Sequence, residues 1–372
     1  MNVDFTDIES IPRYEGYESL SVHFTGGLRA FSLSADTWSV SPVLRNGVPC
    51  IAGRITGNQM RHLMKALGQE PVILEHRSST DGAEFSTFRS VRPATRNPQV
   101  SVADLWTNMS GNIKRRRAKE FFKQNPEATS NDIDRFFDSA SLSEKLVSHV
   151  SGSLRSLDIC LGAISSFYHD QLIGAMRSGK KPTDRFSTIL DLSLTANVHS
   201  FFLHLGAAFG YLGALIANRC GFSSRTDDLA RLIGELRSDQ MPTDSMLDLF
   251  LSKGLVVPVA GSKKHKLGGW LASTLKIRND FVHKRPYGSV QCERSGQIGI
   301  FEGDQSFWKY RRSILVDSIE QDALTLISKI YHKCTDLFEE MNAVSGYDAS
   351  IPILSDKDIL DFKLHSRKPP GD

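Results

Sequence analysis

Residues 270–288 read WLASTLKIRNDFVHKRPYG, and the rest of the chain is organised around them. At about 100° per residue, Trp270, Thr274, Ile277 and Phe281 form one stripe, with Leu271, Leu275 and Val282 on the adjoining arc, so the stretch is an amphipathic helix. Pro286 ends it, because proline has no amide to donate and biases Arg285 away from helical torsions. Arg278 projects into the middle of the apolar arc. A charge there must snorkel, pair, or face a polar cleft, since an unpaired buried charge is costly. Asn279 and His283, four residues apart, stack beside that arc. A purely structural role is also open: Arg278 pairs with Asp280 or a neighbouring acid, and His283 caps the helix C-terminus, where the backbone dipole favours a cation.

Helical patterns dominate the chain on both sides of this stretch. Leu142 to Val150 and Leu154 to Met176 carry apolar faces, as do Thr226 to Leu236 and Thr243 to Lys253. Asp304 to Asn342 reads as the other major helix, with Trp308, Leu315, Ile319, Leu326, Ile330, Leu337 and Met341 at steps of four or seven. From Leu192 to Asn218, 27 consecutive residues lack Asp, Glu, Lys and Arg. That run is long enough to cross a bilayer. His199, His204, Asn197 and several hydroxyl residues favour a buried core helix instead, and leave a membrane-associated helical protein as the minor alternative.

Before residue 98 the pattern changes. Leu20, Val22 and Phe24 alternate ahead of Thr25-Gly26-Gly27, and Asn46-Gly47 marks a second turn, so hairpins are expected. Met60, Leu63, Met64 and Leu67 form one short helix closed by Gly68, and Val72–Leu74 and Phe85–Phe88 are further strands. The fold class is therefore α+β, mainly an α-helical bundle with a smaller N-terminal mixed α/β module. The divisions are 1–98 for that module, 99–144 for a basic helical connector, 145–345 for the bundle and 346–372 for a loose tail.

Within the connector, Lys114, Arg115, Arg116, Arg117, Lys119 and Lys123 face a single acid, Glu120, over Asn112 to Gln124. Such density suits phosphate contacts or simply a solvated helix face. The glycine-rich stretch 254–269 reads as a loop or extended lid, and it brings Lys263 and Lys264 toward the quoted helix. Gly179-Lys180-Lys181-Pro182 lacks the glycine spacing and hydroxyl residue of a phosphate-binding loop. The net charge of +3 over 372 residues is too mild to imply a nucleic-acid partner by itself. Cysteines at 50, 160, 220, 292 and 334 are scattered and odd in number, which argues against a zinc site and a disulfide framework. The acidic opening MNVDFTDIES lacks the basic start and apolar run of a signal peptide, so a reducing cytoplasmic setting is expected.

Arg278, Asn279 and His283 resemble the arginine, polar residue and histidine motif of the HEPN superfamily, in which four residues separate arginine from histidine. The likeness covers residues 145–345. It implies a helical-bundle domain and a metal-independent endoribonuclease, in a superfamily rich in toxin–antitoxin and antiviral defence systems. On this resemblance Arg278, Asn279 and His283 are catalytic, and Lys114, Arg115, Arg116, Arg117, Lys119, Lys263, Lys264, Lys284 and Arg285 are candidates to bind nucleic acid. No cofactor or metal is implied. The resemblance further implies RNA as the substrate, a homodimer as the functional unit and an inhibitory partner or antitoxin. Some relatives bind nucleotide or protein without cutting RNA, which leaves a noncatalytic binding module open. Arg278 and His283 lie about 140° apart on one helix, so a second motif helix across a dimer is expected to complete the site.

Overall fold

The structure, a computed structural model, describes residues 19–45, 48–50, 54–80, 83–91, 100–301 and 304–351. Strands β1 (Ser19–Phe24), β2 (Arg29–Ser34), β3 (Thr37–Ser41), β4 (Val43–Arg45), β5 (Val48–Cys50) and β6 (Ile55–Thr56) open the chain. Helix α1 (Gly57–Ala66) follows, begun by a reciprocal cap between Thr56 and Gln59, and then strands β7 (Pro71–Thr80) and β8 (Ala83–Arg89). Six of these strands form an antiparallel sheet in the order β6-β3-β2-β1-β7-β8, while β4 and β5 pair apart from it. The expected hairpin at 24–28 is present, and β4 and β5 flank residues 46–47, which lie outside the described residues.

Helices α2 (Val102–Gln124), α3 (Ser130–Asp138) and α4 (Leu142–Arg177) come next, capped by Ser101, Thr129 and Ser141. What reads as two helices, 142–150 and 154–176, is the single α4. Ser151, Gly152 and Ser153 interrupt the apolar pattern without breaking the backbone ladder, because Ser151 and Ser153 are themselves buried there. Strand β9 (Arg185–Phe186) leads into α5 (Asp191–Arg219), which is the uncharged stretch. Helices α6 (Leu229–Glu235) and α7 (Ser245–Ser252) follow, capped by Asp228 and Asp244. The expected lid at 254–269 is instead a short hairpin, β10 (Val256–Pro258) with β11 (His265–Leu267), and it delivers the chain into α8 (Gly269–His283).

The largest correction falls on residues 304–342. Strands β12 (Gly296–Phe301), β13 (Asp304–Val316) and β14 (Ile319–Asp322) precede α9 (Ala323–Val344), so the helix begins near 323 rather than 304. Trp308 and Leu315 are seven apart, a spacing two helical turns also produce, but Tyr310, Arg312 and Ile314 alternate inward with the period of a strand. Asp317 and Ser318, at φ 49° and 66°, make the two-residue turn of the β13–β14 hairpin. Together with β9 these strands form a second antiparallel sheet, β14-β13-β12-β9.

One apolar core runs through both parts, from Val22 in β1 through Leu157 and Phe202 to Phe338 in α9. Helix α4 lies on the face of the large sheet that carries polar side chains. Gly27, at φ 91°, permits this approach, because a Cβ there would fall 2.7 Å from the Tyr168 carbonyl. Between sheet and helix lies a buried network. His23 Nε2 donates to Glu75 at 2.9 Å and its Nδ1 accepts from the Ser165 hydroxyl at 3.1 Å, the tautomer that an ionised Glu75 selects. Ser21, Ser86 and Arg77 also donate to Glu75, and His169 Nδ1 donates to the Gly27 carbonyl at 2.8 Å. Burial, helped by nearby Arg29, pushes His23 down to about 4 and His169 down to about 3. Burial opposes ionisation of Glu75, yet hydrogen bonds from His23 and Arg77 hold it well below the usual carboxylate range.

These directions make stability pH-dependent with one sign. In the unfolded chain the histidines take up protons near pH 6.5, whereas the folded ones resist until far lower pH, so their contribution is complete above 6.5 and is lost as pH falls. Glu75 adds a loss below the ordinary glutamate range. Denaturant unfolding should therefore show stability falling by about 1–2 kcal/mol per pH unit between pH 6 and 4.5. Replacing His169 by glutamine should flatten that slope, and a stability independent of pH over this window would contradict the assignment.

Candidate functional site on helices α5 and α8

Helices α5 and α8 pack antiparallel along a seam whose α5 members step by four and three residues. Thr195 lies against Gly288, His199 and Phe202 against Phe281, Gly206 against Arg278, and Phe209 against Trp270. Phe202, Phe209 and Phe281 are buried there, each worth roughly 1.5–3 kcal/mol by apolar burial. His199 is a hydrogen-bonded cleft histidine, its Nε2 accepting the Tyr287 amide at 3.0 Å.

Gly206 decides where Arg278 goes. A Cβ at 206 would sit 2.8 Å from Arg278 Nε, so only glycine lets the guanidinium lie against the α5 backbone. Arg278 Nε is buried and finds no hydrogen-bond partner among the described residues. Nη1 donates to Asn279 Oδ1 at 2.9 Å, and no acid pairs with the group among the described residues, Asp280 being taken by Lys284 at 2.8 Å. Asn279 thus orients the arginine. His283 is exposed at the last position of α8 and makes no hydrogen bond or ion pair among the described residues. The structure brings Arg278 and Asn279 together and leaves His283 one turn away, facing solvent.

The end of α8 that carries His283 is anchored by residues that no sequence motif marks. Arg285 donates two hydrogen bonds to Glu293, at 3.0 and 3.1 Å, and a third to the Leu315 carbonyl at 2.8 Å. Glu293 is fully buried and also accepts the amides of Gly288 and Leu315. Its carbonyl accepts from Arg312 Nε, and Arg312 Nη1 pairs with Asp191 at the start of α5 at 3.0 Å. This chain of charges fixes the α8 C-terminus to β13 and to the α5 N-terminus. A pair such as Arg312 with Asp191, 121 positions apart, leaves no local signal in the sequence.

The expected nucleic-acid contacts divide by partner. Arg285 is engaged by Glu293, and Lys284 stays exposed beside His283 despite its pair with Asp280. Arg117 pairs with Glu144 at 2.5 Å and lies over Phe136, which makes it part of the α2–α3–α4 packing. Arg116 holds Glu120 across one turn and Lys114 lies over Phe137, while Arg115 and Lys119 have no ion pair among the described residues. Lys263 pairs with Asp239, and it and Lys264 sit in the hairpin before α8, about 20 Å along the helix from His283.

Beside Arg278, α5 turns an apolar stripe outward. Leu192 is 75% exposed and Leu203 46%, with Ala196, Ala207 and Gly210 completing the face, and Ile189 and Leu190 continue it ahead of the helix. The helix is long and apolar enough to span a membrane, but 61% of its most apolar window is buried inside the protein. No group of three or more His, Cys, Asp or Glu suited to a metal occurs among the described residues. No family model, curated protein or solved structure matches this chain.

Replacing Gly206 by alanine should separate stability from function. The helix gains propensity by roughly 1 kcal/mol, and the flexible arginine swings away from the new Cβ. The melting midpoint should hold or rise while any activity that depends on Arg278 falls at least tenfold. Retention of full activity would show that the seat over Gly206 is unimportant.

Proposed function

We propose that the chain is a metal-independent endoribonuclease that cleaves RNA through attack of the 2′-hydroxyl on the adjacent phosphate, with toxin or defence biology as its setting. The observation that carries this is Arg278. A half-buried guanidinium with an unpartnered Nε, oriented by Asn279 and seated on Gly206, is a costly arrangement for stability alone. It suits a group that must meet transient negative charge, since its donors are already held and not neutralised by an acid. His283 supplies the proton chemistry. Exposed and at a helix C-terminus, it acts as the base for the 2′-hydroxyl or as the acid for the leaving 5′-oxygen. Asn279 holds Arg278, and the HEPN resemblance of the three residues gives the reaction class. The products are a 2′,3′-cyclic phosphate and a 5′-hydroxyl.

One histidine cannot serve both sides of an in-line transfer at once. The exposed stripe of Leu192, Ala196, Leu203 and Ala207 beside Arg278 is the kind of apolar face that a protein partner covers. A second copy docked there in two-fold fashion brings a second Arg278 and His283 to one cleft. A binding-only reading is favoured by a different observation: His283 has no third group to orient it among the described residues, unlike most catalytic bases.

His283→Ala should abolish RNA cleavage measured in EDTA while leaving helical content unchanged. In heterodimers, one intact chain paired with one His283→Ala chain should retain much less than half the activity. Equal cleavage by wild type and variant would remove His283 from the chemistry. RNA binding without cleavage by the wild type would favour the binding module.

A further inference from the structure

The second sheet carries basic residues that the nuclease reading does not use. Arg185 in β9, Gln297 in β12 and Arg311 in β13 are directly paired across three adjacent strands. Paired residues in an antiparallel ladder project from the same face, so the three form one row with the arginine Cα atoms about 10 Å apart. Both arginines are exposed, and neither makes a hydrogen bond, ion pair or ring contact among the described residues. In this they differ from Arg116, Arg117, Lys263 and Arg285, each of which is tied to an acid.

The surface between them is shaped. A cleft of about 60 Å³ is lined by Arg185, Gln297, Arg311, Ser295 and Ser313. Glu320 also lines it, as acceptor of the Ser313 hydroxyl, so the cations are concentrated at the Arg185–Arg311 row. Arg312 and Asp322 line it too, but Arg312 is paired with Asp191, and Asp322 accepts from Tyr168 and from the start of α9. The strand edge leading to Arg185 is held in an uncommon conformation. Thr183, a β-branched residue, sits at φ 80°, with its amide bonded to the Ile298 carbonyl at 2.8 Å and its carbonyl accepting from Gln297 Nε2. Such a backbone persists only where its surroundings fix it. Gln297 therefore has its amide group tied to the segment that leads into β9, two residues before Arg185.

We infer that this row binds the phosphodiester backbone of single-stranded RNA, outside the cleavage site. The inference rests on the RNA reading above and extends it to where the substrate lies. Two free arginines flanking an amide, with hydroxyls in the next row, complement an extended polyanion: forked donors take phosphate oxygens, and nothing in the row reads a base. The row also has a physical link to the candidate catalytic end of α8. Strand β13 runs from Arg311 to Leu315, whose carbonyl takes the Arg285 guanidinium just beyond His283. That segment spans about 13 Å, so RNA bound at the row extends toward the nucleotides flanking the cut.

The test is made in the full chain carrying His283→Ala, so that RNA is bound and not consumed. A fluorescein-labelled, unstructured single-stranded RNA is titrated across about 50–200 mM salt. Arg185→Gln with Arg311→Gln should weaken binding about tenfold and reduce the salt slope by about 1.4, the loss of two phosphate contacts. Lysine at both positions should restore most of the slope, which separates lost charge from lost fold. Unchanged affinity and slope in the glutamine variant overturn the inference, as does failure of the parent protein to bind RNA. If the glutamine variant loses affinity while protein with His283 intact cuts no RNA, the surface stands and the nuclease reading falls. If the glutamine variant binds like its parent while protein with His283 intact cuts RNA in EDTA, the surface falls and the nuclease reading stands.

Discussion

The antiparallel seam between α5 and α8 is the constraint on which the rest depends. Aromatic pairs fill it on either side of Arg278, and at Arg278 itself α5 supplies Gly206, whose missing Cβ leaves room for the guanidinium. A central helix without charged residues between Asp191 and Arg219 can be surrounded by α4, α6 and α8, and it can receive a guanidinium only where no side chain intervenes. The cost of leaving Arg278 Nε unpartnered is offset by the aromatic packing on either side, Phe202 with Phe281 and Phe209 with Trp270. The same helix that builds the core thus exposes an apolar stripe next to the half-buried Arg278.

A second constraint holds the His283 end in place. Two ion pairs, Arg285–Glu293 and Arg312–Asp191, are joined through the Glu293 backbone carbonyl from α8 to α5, and the fully buried Glu293 carboxylate takes four donated hydrogen bonds. Removing any one member leaves a buried charge exposed to its own desolvation cost, so the arrangement is rigid as a unit. Between the large sheet and α4, the Glu75 network does the same, passing through His23 to Ser165 and joined by the His169 bond to Gly27.

Much of this was readable from residue order. The periods of α1, α8 and α9, the two halves of α4, the uncharged run of α5, the hairpin at 24–28 and the stop at Pro286 all follow from local pattern and backbone chemistry. The position of Arg278 in an apolar arc was also legible, and it pointed to the candidate site. What escaped had specific causes. Residues 304–316 satisfy a seven-residue spacing that serves helix and strand alike, and the turn at Asp317-Ser318 lacks the glycine that usually marks a hairpin. Gly206 carries no local signal of which side chain lies on it. Arg185 and Arg311 are brought together only by strand pairing, and Glu293 acquires its role only through partners on β13 and α8. Charge density along the sequence points to Arg117, and the motif resemblance to Arg285, yet both are neutralised by acids that the fold supplies.

The central claim is that Arg278 and His283 carry RNA chemistry without a metal, and the ends of the cut RNA test it most directly. Purified protein incubated with mixed RNA in EDTA, followed by end-group analysis of the fragments, should give 2′,3′-cyclic phosphates and 5′-hydroxyls. Fragments bearing 5′-phosphates and 3′-hydroxyls, or RNA that stays intact, would contradict it.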